Sequence, residues 1–279
     1  MLAWPQPEED DASVTLVDWE LRETGTRDAD RTVLLLPGGL CSAGSYAEVM
    51  DEPALVGTRL VAATLPGNAG ASPLVDGQSV EDYARVTTEL ADRVGADVLV
   101  GFSCGASVAF EMVVSGQFTR PVVLLGISLS WRDESAFFCR LIQSSKVLGT
   151  LPVRMLATAA GSMIKRTALS PDRQRELQAD FRKNVPHDAT NALDEYVRWL
   201  HRQERPAERL CEAGVPTWIV HAEKKGDGGL TDGERETLEA CDHTRVVTIP
   251  GSSFFLPVEE SSPIADVIVQ ALEQAPSTA

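Results

Sequence analysis

Apolar residues recur along the chain in two alternating rhythms. Short unbroken runs appear at "TVLLLPGG" (32–39), "RLVAATLPG" (59–67), "ADVLVGF" (96–102), "RPVVLLGIS" (120–128), "VPTWIVHAE" (215–223) and "TRVVTIPG" (244–251). Continuous apolar runs of this length, ended by Gly or Pro, predict strands buried on both faces of a parallel sheet. Helical spacing fills the gaps. "SVEDYARVTTELADRVG" (79–95) opens on a Ser cap and closes on Gly, and "PIADVIVQAL" follows the last strand. At the start, "ASVTLVDWELRE" (12–23) predicts an antiparallel strand pair. Strands alternating with helices imply an α/β fold with a mostly parallel sheet.

Residues 132–205 break the alternation. "ESAFFCRLIQSSKVLG", "PVRMLATAAGSMIKRTA", "SPDRQRELQADFRKN" and "DATNALDEYVRWLHRQ" all read as helix, with no strand between them. The pattern predicts a helical cap (132–205) inserted after the sixth strand, in a core built from 1–131 and 206–279.

Composition narrows the function classes. With 43% hydrophobic and 24% charged residues over 279 positions, the chain is long enough for one large soluble domain. No apolar run is long enough to span a bilayer. The acidic start "MLAWPQPEEDDAS" lacks the basic and apolar regions of a secretory signal. Five scattered cysteines (41, 104, 139, 211, 241) predict reduced thiols, a cytoplasmic protein and no zinc site. A net charge of −16 argues against nucleic acid or an anionic membrane as partner. No cofactor is expected.

The candidate chemistry begins at Gly101-Phe102-Ser103-Cys104-Gly105, a G-x-S-x-G string between an apolar strand and a helical pattern. In that context the glycines permit a sharp turn that lifts the Ser hydroxyl above the sheet. The helix that follows points its free amides at the same place. A second glycine turn, Gly38-Gly39, follows the strand ending at Leu36. The amides of Gly39 and Cys104 are therefore the candidates for an oxyanion hole, with Ser103 as nucleophile.

On these motifs, and on "TLPGNAGASP" after the next strand, the chain resembles the α/β-hydrolase superfamily over nearly its whole length. Asn68 stands where the family often has His. The resemblance implies an eight-stranded sheet, a cap over the active site and a Ser–His–acid triad. Two triad slots depart from the family. In "PTWIVHAEKK" the acid position falls on Lys225, with Asp227 two residues later, and in "PGSSFFLPVEE" the base position is Phe254. A phenyl ring cannot accept the Ser proton.

Only four histidines are available. His221 falls in or at the end of a strand and reads as structural. His243 precedes the last strand and belongs on the side of the sheet opposite Ser103. His187, in "NVPHDAT", reads as part of a polar, solvated loop. His201 borders the apolar stripe Leu193, Tyr196, Val197 and Leu200, which leaves it as the candidate base facing the cleft. Asp194 shares its helix face, about 10 Å away along the axis at 1.5 Å per residue. Asp194 is thus a possible orienting acid, Asp227 its competitor, and Asp188 a helix-capping residue that ranks third.

Such a site would form an acyl-serine and pass the acyl group to water or a thiol. Between Arg132 and Lys183 ten basic residues face five acidic ones, in a chain that is otherwise strongly acidic. That contrast suits docking of an acidic acyl carrier protein with its phosphopantetheine arm. Trp131, Phe137, Phe138 and Trp199 suit an aromatic acyl group. With its displaced base, the sequence also resembles the acyl-transfer proteins of nosiheptide-type thiopeptide biosynthesis, which implies transfer of an indolyl group from carrier to peptide cysteine. Esterase or thioesterase activity, and ligand binding by an inert cleft, remain the alternatives.

Overall fold

The computed structural model describes residues 17–75, 77–223, 229–250 and 255–276. Its single sheet has seven strands among the described residues: β1 (Leu21–Thr24), β2 (Thr32–Leu36), β3 (Arg59–Ala63), β4 (Val98–Phe102), β5 (Val122–Leu125), β6 (Thr217–Ala222) and β7 (Thr244–Ile249). Their order is β1-β3-β2-β4-β5-β6-β7, with β1 antiparallel to β3 and every other pair parallel. The expected eight strands are therefore corrected to seven. Of the initial strand pair only Leu21–Thr24 forms a strand, and residues 12–16 lie outside the described residues.

The apolar runs explain the sheet's centre. Every residue of β2, β4 and β5 is buried. Helices cover the sheet in two layers. One holds α2 (Val80–Val94), α3 (Cys104–Val114), α9 (Pro206–Ala213) and α10 (Asp232–Glu239); the other holds α1 (Ala47–Met50), α11 (Leu256–Glu259) and α12 (Ser261–Gln274). The stops of α2 are as the sequence predicts. Ser79 and Asp82 form a reciprocal capping box, and Gly95 ends the helix at φ 68°.

Between β5 and β6 the chain is helical throughout: α4 (Ala136–Gln143), α5 (Ser145–Leu148), α6 (Leu151–Ile164), α7 (Pro171–Lys183) and α8 (Pro186–Arg202). These helices pack on one another, and α8 also rests on α2. Trp199 of α8 is fully buried and donates its indole N–H to Glu111 of α3 at 3.2 Å.

The thiols differ from expectation. Cys211 and Cys241 form a disulfide, with Cα atoms 6.0 Å apart, joining α9 to the turn before β7. Cys41, Cys104 and Cys139 are free. No described helix is long and apolar enough to cross a membrane.

Candidate active site

β4 ends at Phe102 and α3 begins at Cys104, so Ser103 alone makes the turn between them. It does so at φ 49°, ψ −117°, a strained conformation for a residue with a side chain. The flanking glycines make this possible: a Cβ at Gly101 would strike the Gly105 carbonyl, and one at Gly105 would strike the carbonyls of Leu36 and Pro37. The Ser103 amide donates to Leu125 on β5 at 2.9 Å, and its carbonyl accepts from Ala106 and Ser107 in the first turn of α3.

Ser103 lines a cavity of about 320 Å³. Gly38, Gly39 and Cys104 form its wall beside the nucleophile, while Phe138, Leu156, Met163 and Leu193 close the cap side. Phe255 packs between Phe102 of the core (centroids 5.6 Å apart) and Phe181 of α7 (6.4 Å). The Cys104 sulfur lies beside Gly39, where an added Cβ would stand 3.0 Å from it. Burial pushes this thiol up to about 12.

His201 does not face the cavity. Its ring is exposed, stacks on Trp131 with centroids 5.6 Å apart, and has Nε2 3.1 Å from Gln143 Nε2. Leu200 and Trp199, its neighbours on the helix, take the buried face, which turns residue 201 outward. Asp194 pairs with Arg198 on its own helix and lies off the cavity. Asp188 sits in the first turn of α8, whose cap position is Val185, and His187 lies in the same turn. The structure brings none of these to Ser103. His243 lies at the opposite end of the sheet, where its carbonyl accepts from Thr217 at the start of β6. Lys225, Asp227 and Phe254 lie outside the described residues. Of the four cap aromatics, Phe137 and Phe138 line the cavity, whereas Trp131 and Trp199 do not.

Two cavity groups escape the sequence reading. Glu134, just after β5, accepts hydrogen bonds from Ser135 N (2.9 Å), Ser128 Oγ (3.1 Å) and the Tyr196 hydroxyl of α8 (3.0 Å). Nothing in the local pattern separates this Glu from a solvated one; it is half-buried, and its bond from Tyr196 depends on α8 crossing above it. His221 also lines the cavity, 7% exposed, with no hydrogen-bond partner for Nε2 among the described residues. Strand register carries a signal for it. Phe102, Leu125 and Val220 are paired across β4, β5 and β6, so Ser103, Gly126 and His221 follow in the next row. Gly126 places no side chain between them. Burial lowers the His221 imidazole to about 4, and the charge of Arg235 adds to the effect.

A family model spans the elbow and the helices above it: residues 33–268 match the Alpha/beta hydrolase family. The chain belongs to the alpha/beta hydrolase family. Solved structures agree on the fold. MenH from S. aureus matches this hydrolase-family chain with a TM-score of 0.68 at 16% identity, over 91% of this chain and 97% of that one. A thermophilic esterase from Thermogutta terrifontis gives 0.71 at 16%, over 94% and 96%. A thioesterase domain from the curacin biosynthetic pathway gives 0.60 at 20%, over 89% and 94%. A search of curated sequences finds no match.

Proposed function

We propose that this hydrolase-family protein transfers an acyl group through an ester on Ser103. The observation that carries the reading is the strained Ser103 lining a largely apolar cavity, with Gly39 and Cys104 beside it. Ser103 Oγ attacks a thioester carbonyl, the C–S bond breaks, and the thiol departs with a proton. An acceptor thiol then takes the acyl group in transfer, or water takes it in hydrolysis. The esterase and the curacin-pathway thioesterase among the structural neighbours favour acyl chemistry, hydrolytic in their own names. At about 320 Å³ the cavity lies near the low end of small-molecule pockets, which suits a short or aromatic acyl group such as an indolyl one.

The proton carrier is assigned to His201. His221 is in place but is a weak base, because protonation would bury a second charge near Arg235. His201 reaches Ser103 only after it leaves Trp131, so the assignment requires a shift of α8 with the segment beneath it. Asp194 and Asp227 are the proposed orienting acids. Asp194 must then leave Arg198.

The donor is proposed to arrive on an acidic carrier protein. Exposed large apolar residues concentrate on α4 to α6: Phe137, Val147, Leu148, Leu151 and Met155 are all more than half exposed. Exposed Arg140, Lys146 and Arg154 lie among them and form no ion pair among the described residues. Phe137 continues this surface into the cavity. Lys146→Glu with Arg154→Glu should raise KM for a carrier-bound thioester and leave a free small-molecule thioester unaffected. Equal effects on both, or capture by anionic vesicles in place of carrier, would remove the carrier from the scheme.

Acylation itself is tested with an acyl thioester or a fluorophosphonate. Intact mass should show one adduct, absent in Ser103→Ala. Wild-type protein that stays unmodified would leave the inert-cleft reading standing. Omitting and then supplying an acceptor thiol separates hydrolysis from transfer.

A further inference from the structure

Leu40 directly follows the oxyanion glycine, and at φ 66° it is in the left-handed region that side chains disfavour. Two side-chain amides hold it there. Its N–H donates to Asn68 Oδ1 at 2.7 Å, and its carbonyl accepts from Asn184 Nδ2 at 2.8 Å. Asn68 is buried and aimed by the carbonyls of Leu65 (3.3 Å) and Pro66 (3.2 Å). Asn184 turns its Oδ1 to the amide of Ala69 at 2.8 Å, and Ala69 is a second left-handed residue, at φ 47°. One side chain at the end of α7 thereby bridges the strained turns that follow β2 and β3.

The rest of α7 grips the same loop. Arg173 bonds Glu48 at 2.6 Å and the Gly44 carbonyl at 2.5 Å, and Asp180 accepts from Ser42. Residues 173, 180 and 184 are spaced by about two and one helical turns, so they share one face of the helix.

We infer that Asn184, acting with Asn68, is a positioning residue that fixes the direction of the Gly39 N–H, so that helix α7 forms part of the oxyanion machinery. Both peptide groups flanking Leu40 are held. The segment before them, which carries the Gly39 N–H, cannot swing away without breaking one of these bonds. Relaxing the turn would free Leu40 from its strained conformation and turn the amide off the developing charge. The inference rests on Ser103 being acylated beside Gly39.

The test combines labelling kinetics with a readout that does not need activity. Loss of an oxyanion donor slows reactions about 100-fold to 1000-fold, so a misaimed one should cost about tenfold or more. Asn184→Ala should lower the bond-forming rate constant of Ser103 with a fluorophosphonate by that factor, with the reagent's affinity unchanged. It should also speed hydrogen exchange over residues 38–45. Asn68→Asp, which keeps the acceptor for Leu40, should label faster than Asn68→Ala. Arg175→Gln, which removes an exposed ion pair to Asp172 on α7 and touches no part of the loop, should leave labelling unchanged. Wild-type labelling and exchange in a folded Asn184→Ala protein would overturn the inference, as would an equal slowing in Arg175→Gln. If wild-type protein is not labelled at all, the acyl-serine reading fails, while exchange over 38–45 still decides whether Asn184 holds the loop.

Discussion

The two sides of the cavity are built by different means. On the sheet side, Ser103, Gly38 and Gly39 are placed by backbone: strand ends, glycine turns and the start of α3. On the cap side, Glu134, Tyr196 and Leu193 are placed by helix packing, and the candidate base His201 is turned away. A backbone-built site admits few alternatives, because a Cβ at Gly101 or Gly105 would strike the backbone. A packing-built site depends on where whole helices lie, and moving α8 would break the bonds from Tyr196 to Glu134 and from Trp199 to Glu111.

The sharpest way to break this contrast is to compare the histidines. His201→Ala is expected to slow Ser103 acylation by about 1000-fold, as loss of a triad base does. His221→Ala should cost less than about tenfold, and His187→Ala almost nothing. The reverse ranking would make the resting cavity the working one and assign the base to His221. The backbone side is tested by Gly105→Ala. Its new methyl meets the Leu36 and Pro37 carbonyls, so a loss of about 3 kcal/mol or more is expected in calorimetric unfolding. Unfolding unchanged from wild type would show that the elbow can yield.

The sheet side was legible for that reason. A turn that only glycine permits leaves its mark in the sequence, so the turn at Gly101–Gly105 could be found without the structure, as could the parallel pairing of the central strands. The cap side left weaker marks. The stripe Leu193, Tyr196, Val197 and Leu200 was read correctly as buried, but a residue on its border can face either way, and His201 faces solvent. Glu134 and His221 needed the third dimension, one for the helix above it and one for the register across β5. The disulfide was missed because 30 residues separate its cysteines.

Acid titration offers a smaller effect. His221 is lowered to about 4 in the folded protein, below the ordinary 6.5. Between these values the unfolded chain takes up the proton and the folded one does not, so its contribution is complete above 6.5 and is lost as pH falls towards 4. The shift corresponds to about 3 kcal/mol at most. His221→Asn should flatten the decline of melting temperature over this window; an unaltered slope would show that His221 does not cause it. Smallest is Cys104→Ala. Removing the thiol that lies beside Gly39 should speed acylation by a few fold, on the order of 1 kcal/mol. A slower reaction would mean that the sulfur helps the nucleophile.

The Cys211–Cys241 bond has a mechanical consequence. β7 is the outermost strand of the sheet, and Cys241 lies just before it. Its root is therefore riveted to α9, and fraying from this edge must start at the far tip, near Ile249. That tip is the one nearest the cavity, because β6 and β7 run parallel and His221 pairs with Thr248. A load that peels β7 would expose the strand edge beside His221 before it disturbs the foot of the sheet.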